Sequence, residues 1–281
     1  KDIIDNSSNN STVFNAVLQN LVDQKFPVND DMKEDAATII KQIKSAYKSN
    51  YGDNYKDSLN QALTSAGYKN LSEYRQRMIK QIQYANFLLD YIDDHFDDVF
   101  NDYYQQCAPK YVSLIKISVS DTSSPTDDET SKLNEVKECT KEQVTLIGFG
   151  DIAQDYSDDS TSSKKGSLGI VDSKDTSGIA NSYGKDVFNA IEALSEGQVS
   201  DVITGDDGYY FVKVTSTDKK TLKKELKKTD IDSPLLAYDD YLQYVVYNSY
   251  KINYKDKDIK KIVQEVVNKA LEERKTERGE A

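Results

Sequence analysis

Between Ser72 and Tyr104, eight apolar residues follow one another at steps of 4, 3, 4, 3, 4, 3 and 4: Met78, Ile82, Ala85, Leu89, Ile92, Phe96, Val99 and Tyr103. Such spacing gathers them on one side only if the backbone is helical, because a strand's period of two would scatter them over both faces. Read as one helix, the stretch is roughly 50 Å long at 1.5 Å per residue. That is longer than a compact core covers, and it predicts an arm or cradle wall packed along one face. The seam is expected to be filled from within the chain, a dimer contact being the alternative.

Helical spacing recurs on both sides of this stretch. Val13, Phe14, Val17, Leu18, Leu21 and Val22 form a stripe ahead of Pro27. Met32, Ala36, Ile39, Ile40, Ile43 and Tyr47 form another over 31–49, and Tyr55, Leu59 and Leu63 lie on a shorter helix that Gly67 closes. The polar, Asn/Ser-rich Lys1–Thr12 reads as a disordered leader. Beyond Pro109 the pattern changes. Tyr111–Val119 alternates and is β-branched, which predicts a strand. A helix near Glu129–Lys141, a strand at Leu168–Val171, a helix at Lys185–Leu194 and a strand at Tyr209–Thr215 follow. After Thr217 the spacing is helical again. Ser233-Pro234 makes an N-cap and first turn for a helix carrying Leu235, Leu236, Leu242, Val245 and Val246. Ile252 and Tyr254 alternate briefly, and a last helix carries Ile259, Ile262, Val263, Val266, Val267, Ala270 and Leu271. The chain therefore reads as α+β: a mixed α/β block, 110–216, interrupts a helical domain built from 1–109 and 217–281.

Composition narrows the functions open to such a chain. A net charge of -12 excludes nucleic acid, whose phosphates need clustered cations. One histidine and no CxxC leave no zinc site, and Gly148-Phe149-Gly150 is too short for a phosphate loop, so no cofactor is expected. No GxSxG is present to carry hydrolase chemistry. His95 lies among Asp93, Asp94, Asp97, Asp98 and Asp102; an acidic solvated face is the reading, a metal or pH-sensing site the alternative. The lysine-rich Lys219–Lys228 reads as an exposed face, with teichoic acid or lipid head groups as the alternative partners. Cys107 and Cys139 either pair or stand as two thiols. Twenty Tyr with no Trp offer broad apolar contact with a polar tip. No apolar run approaches the roughly 20 residues a membrane span needs. The chain opens at Lys1 without Met, as a mature or trimmed chain would, so the missing leader is silent on export.

Within the mixed block, Asp155-Tyr156-Ser157-Asp158-Asp159 resembles the YSxD region of parvulins, a class of peptidyl-prolyl isomerases. Gly166-Ser167-Leu168-Gly169 resembles their GGDLG turn, with Lys165 for the first Gly and Ser167 for the Asp. Leu194–Ser200 resembles the L..GEVS segment, and Gly208-Tyr209-Tyr210 the GYH that opens the last strand. The flanking NAVLQNLVDQKFPVND, YGDNYKDSLNQALTSAGY and KINYKDKDIKKIV are similar to the helical lobe of the PrsA-type extracytoplasmic foldases of Gram-positive bacteria. More distantly, the layout is SurA-like. The resemblance implies a helical chaperone domain made from both chain ends, with an inserted parvulin-like domain.

What the resemblance implies for chemistry is mixed. The family's catalytic Asp or Cys falls on Asp159, but its two histidines fall on Lys116 and Tyr210. The prolyl pocket falls on Leu168, Tyr183 and Val187, the last being smaller than the family's Phe. A charged Lys116 is expected either to pair with Asp159 or to turn to solvent, and a Tyr cannot use two ring nitrogens as an imidazole does. The expected function is a foldase that binds unfolded or newly exported polypeptides, with isomerase activity weak or absent. The alternatives are an active parvulin-type isomerase using Asp159 and a cell-surface binding module or adhesin. The implied location is the outer face of the cell membrane of a Gram-positive bacterium, tethered through a lipid anchor ahead of Lys1, as monomer or dimer.

Overall fold

A computed structural model describes residues 7–141, 148–226 and 231–280. In chain order its elements are α1 (Ser7–Lys25), α2 (Asp30–Tyr51), α3 (Tyr55–Ser65), α4 (Leu71–Asp94), α5 (Phe96–Cys107), β1 (Lys110–Ser118), α6 (Asp127–Lys141) and α7 (Phe149–Tyr156). Then come β2 (Ser167–Val171), α8 (Ile179–Tyr183), α9 (Lys185–Ala193), β3 (Ile203–Thr204), β4 (Gly208–Ser216), α10 (Lys219–Glu225), α11 (Leu242–Ser249) and α12 (Lys257–Glu277). They fall into two compact units. One holds the chain up to His95 with 239–281; the other starts at Phe96, contains the sheet, and includes Ser233–Tyr238.

The helical unit joins the two chain ends through aromatic contacts. Phe14 of α1 stacks on Tyr244 of α11 at 4.8 Å and meets Tyr247 edge-on at 5.1 Å. Phe87 of α4 stacks on Tyr250 at 5.5 Å. A separate apolar cluster of Met32, Ala36, Ile40, Met78, Ile79 and Ile82 locks α2 to α4. Asn29 and Asn70 cap α2 and α4 by accepting from the N–H three residues on. In this unit the leader expected over Lys1–Thr12 is corrected at Ser7–Thr12, which belong to α1, while 1–6 lie outside the described residues. Ser and Asn are weak helix formers, but burial of Phe14, Leu18, Leu21 and Val22 outweighs local preference. The helix expected from Ser233 is also corrected. Ser233 caps only a 3₁₀ turn, Pro234–Leu236, and helix resumes at Leu242. Asp239 lies between them, buried, and accepts from Arg274 of α12 at 2.8 Å and from Arg278, the C-cap of α12, at 2.9 Å. Ile252 and Tyr254 lie in irregular chain that Asp256, the N-cap of α12, brings to an end.

The expected single helix over Ser72–Tyr104 is two helices, broken at His95, whose φ of −119° and ψ of 27° leave the helical region. The cause is legible in Asp93-Asp94-His95-Phe96-Asp97-Asp98. Carboxylates oppose the negative C-terminal end of α4 but favour the positive first turn of α5. His95 stacks on Tyr91 at 4.1 Å, with Nδ1 2.9 Å from the Tyr91 carbonyl.

The second unit is built on an antiparallel sheet of order β2-β1-β4-β3. Both faces are apolar. Ile115, Ile117, Tyr209 and Phe211 pack with Val136, Phe149, Ile152 and Ala153 from α6 and α7. Val112, Leu114, Tyr210 and Val212 pack on the other side with Ile179, Val187 and Ile191 from α8 and α9. The Lys110 ammonium donates to the carbonyls of Ile191, Glu192 and Leu194 at 2.7–3.0 Å, tying the end of α9 to β1. α5 belongs to this unit through Tyr103, whose hydroxyl donates at 2.8 Å to the fully buried Asp172. Cys107 and Cys139 are both thiols.

Candidate functional site

Lys116 on β1 and Tyr210 on β4 are register partners at the centre of the sheet. Partners in antiparallel strands project to the same face, here the one covered by α8 and α9. Lys116 is therefore the next residue past Leu114 on an otherwise apolar row. Tyr210 is 2% exposed, and the Lys116 side chain 17%. The Lys116 ammonium lies 5.6 Å from the centre of the Tyr210 ring and pairs with the Asp207 carboxylate. The Tyr210 hydroxyl donates to the other oxygen of that carboxylate. Lys116 thus pairs with Asp207, which corrects the expectation of Asp159 or solvent. Its hydrogen bond from Lys116, and then that from Tyr210, hold the Asp207 carboxyl below the usual carboxylate range. Burial first, and Asp207 second, push the Tyr210 phenol well above its ordinary value.

The turn that carries Asp207 is fixed tightly. Gly205 N–H donates to the Gly208 carbonyl at 2.9 Å, and Val119 N–H to the Asp207 carbonyl at 3.3 Å. A Cβ on Gly205 would stand 2.7 Å from Cε2 of Tyr210, so only glycine lets the ring lie against the turn.

Asp159 is held by its neighbours in sequence. One carboxylate oxygen accepts from Thr161 N–H at 2.8 Å and Thr161 Oγ1 at 2.6 Å, capping the 3₁₀ turn Ser160–Lys164. The carboxylate also lies beside the Tyr183 hydroxyl, and together with burial, the larger cause, it raises that phenol's pKa. The Tyr183 ring meets Tyr210 edge-on at 6.2 Å and 79°. Lys116, Asp207, Tyr210, Tyr183 and Asp159 therefore form one continuous group. It adjoins a cleft of about 600 Å³ between α8–α9 and the turn before β4, walled by Tyr183, Val187, Ile203, Gly205, Asp207 and Tyr210. Val187 is buried yet reaches this wall, whereas Leu168, on β2, is half-buried and packs against the core of the same face.

Asp207 is the residue that sequence reasoning missed. Its signal was present: an acidic pair inside Gly205-Asp206-Asp207-Gly208, directly ahead of β4 and within three residues of Tyr210. A phenol carries one proton, and in Tyr210 that proton is committed to Asp207. Among the described residues no group of three or more His, Cys, Asp or Glu is arranged to hold a metal ion. Nor is any helix among them long and apolar enough to cross a membrane.

Residues 98–227 match the family model of the PPIC-type PPIASE domain. The sheet-bearing segment is therefore a parvulin-class domain. The PrsA-type resemblance holds as well: the chain is similar to foldase protein PrsA of Staphylococcus epidermidis, 35% identical over 126 residues, covering 42% of this chain and 36% of that protein. It is also 32% identical over 162 residues to foldase protein PrsA of Staphylococcus aureus, covering 54% of this chain and 47% of that protein. The match spans less than half the length of these curated relatives. Among solved structures, PrsA from Bacillus subtilis is 22% identical, with a TM-score of 0.43, over 92% of this chain and 90% of that chain.

Proposed function

We propose that this chain is an extracytoplasmic foldase that holds unfolded or newly exported polypeptides, and that its parvulin-class domain binds peptide while isomerising it weakly or not at all. The relatives' shared name supports the foldase part. One observation carries the second part: Asp207 takes up both the Lys116 charge and the only Tyr210 proton.

The chemistry follows from the barrier. Rotation about an X-Pro bond must overcome about 18–20 kcal/mol of amide resonance. Lowering it needs donors and acceptors free to favour the twisted amide over the planar one. Here the groups at the two imidazole positions are satisfied by the protein itself before a peptide arrives. Asp159 spends one oxygen on Thr161 and lies beside Tyr183. In this reading Asp159 and Tyr183 contact the bound chain, Val187 lines its seat, and Leu168 stiffens the core behind it. The helical unit supplies the second holding surface, and a lipid anchor ahead of Lys1 would keep the protein at the outer face of a Gram-positive membrane.

The test pairs two measurements on the full chain. A protease-coupled assay on an Ala-Pro peptide is expected to give turnover close to background, unchanged in Asp159→Ala. Suppression of aggregation of several unrelated unfolded proteins is expected at stoichiometric amounts. Strong turnover abolished by Asp159→Ala would establish the active isomerase instead. Failure to hold any unfolded protein would remove the foldase reading.

A further inference from the structure

The face of the sheet under α6 and α7 changes character along its length. Ile115, Ile117, Tyr209 and Phe211 are covered, but the next rung reads Ser167–Ser113–Lys213 across β2, β1 and β4. Tyr111 follows on β1, with its hydroxyl 2.9 Å from Ser167 Oγ. Lys164 and Lys165, from the turn that Asp159 caps, complete a groove of about 280 Å³. Phe149 supplies part of its wall. Lys165 is paired with Asp151 at 2.7 Å. Among the described residues, no carboxylate lies within ion-pair distance of Lys164 or Lys213. Two uncompensated cations thus converge on a groove of a chain whose net charge is -12.

We propose that this groove is a second peptide subsite, binding the carboxylates of an acidic polypeptide segment through Lys164 and Lys213. The inference rests on the polypeptide-holding reading above. Charge selects the occupant: an acidic segment is repelled by most of this surface and attracted where the sign inverts. The walls favour a peptide over a phosphate polymer. The site offers lysine point charges and no arginine fork for bidentate phosphate contact. Tyr111 is half-exposed and presents ring surface that a side chain flanking the acid can cover, with the buried Phe149 closing the wall behind. Ser113 and Ser167 add hydroxyls that can donate to a carboxylate. The groove lies on the sheet face opposite to that of Tyr210 and the cleft, so one extended chain need not compete for both.

Fluorescence anisotropy on the full chain tests this, using a fluorescein-labelled peptide containing Glu-Tyr-Glu and its Gln-Tyr-Gln counterpart. The Glu peptide is expected to bind more tightly, and to weaken as salt shortens the Debye length below about 10 Å. The Lys164→Gln/Lys213→Gln double variant is expected to lose roughly tenfold affinity for the Glu peptide, in line with two exposed charge pairs, and none for the Gln peptide. Lys164→Arg/Lys213→Arg should retain binding. Equal affinity for both peptides, or no loss in the Gln variant, overturns the proposal. Poly(glycerol phosphate) binding at this site in preference to the Glu peptide also overturns it, by assigning another class of partner. Aggregation suppression run in parallel separates the two readings. A wild type that holds unfolded proteins but shows no lysine dependence loses the groove alone. One that binds the Glu peptide through these lysines but holds no unfolded protein loses the foldase reading alone.

Discussion

The two faces of the central sheet place a lysine just beyond their apolar rows, and the two lysines have opposite fates. Lys116, past Leu114, is mostly covered and neutralised by Asp207, with Tyr210 completing the cluster. Lys213, one rung from Phe211 on the other face, borders an uncovered groove beside two serines. The same side chain on neighbouring strands is thus a closed structural group in one place and an open electrostatic one in the other. Both lysines are half-buried, so the partner makes the difference. Asp207 stands within reach of Lys116, whereas among the described residues no carboxylate pairs with Lys213, whose charge is left for a ligand.

The strongest way to break the comparison is to remove what both faces share. Gly166 ends the turn that carries Asp159, Lys164 and Lys165; its φ is +75°, and a Cβ there would lie 2.3 Å from the Leu114 carbonyl oxygen. Gly166→Val is expected to cost the sheet-bearing unit about 4 kcal/mol through backbone strain and overpacking. Thermal unfolding followed by circular dichroism would show it, and a wild-type melting curve would refute the tight approach.

Next in size is reopening the closed side. Placing imidazoles there with Lys116→His and Tyr210→His should raise turnover of an Ala-Pro peptide at least about tenfold, the low end for general acid–base groups being larger still. The gain should vanish when Asp159→Ala is added. No gain would mean that the substituted positions are not what limits catalysis.

A smaller effect comes from Asp207→Ala, which leaves Lys116 uncompensated and Tyr210 without its acceptor. Because the Asp207 side chain is 63% exposed, water replaces much of the loss, and about 1 kcal/mol is expected. The pH dependence has a definite sign. The folded carboxyl is held below its ordinary 3.8, so its contribution is present above that pH and lost as pH falls through the folded value. Urea unfolding of wild type and variant should therefore differ near neutrality and converge in strong acid. A gap that widened on acidification would contradict the assignment. The smallest change is expected from Lys213→Gln, below about 0.5 kcal/mol in the same experiment, which separates an open cation from a structural one.

Much of this architecture was legible because periodicity reports burial directly. The alternation of Tyr111–Val119 placed β1 within a residue, and the parvulin-like segments fell where the sheet and its turns are. The seam from Met78 to Tyr103 correctly named buried residues, Ile92, Val99 and Tyr103 among them, yet missed the break at His95. Spacing reports which residues are buried, not whether the backbone between them stays helical, so it cannot register the break. The site was half legible. The resemblance to parvulins marked Lys116, Tyr210 and Asp159 as positions to watch, but Asp207 is 91 residues from Lys116 in the chain and meets it only through the β1–β4 register.

The order of residues by itself determined the main strands β1 and β4, most of the long helices and which of their faces would be apolar. Those properties depend on neighbours a few positions away. Only the folded arrangement decided which carboxylate meets which lysine and which lysine is left without one. Pairing between distant strands sets these distances, and a charge's energy depends on its distance to partners and water rather than on its place in the chain.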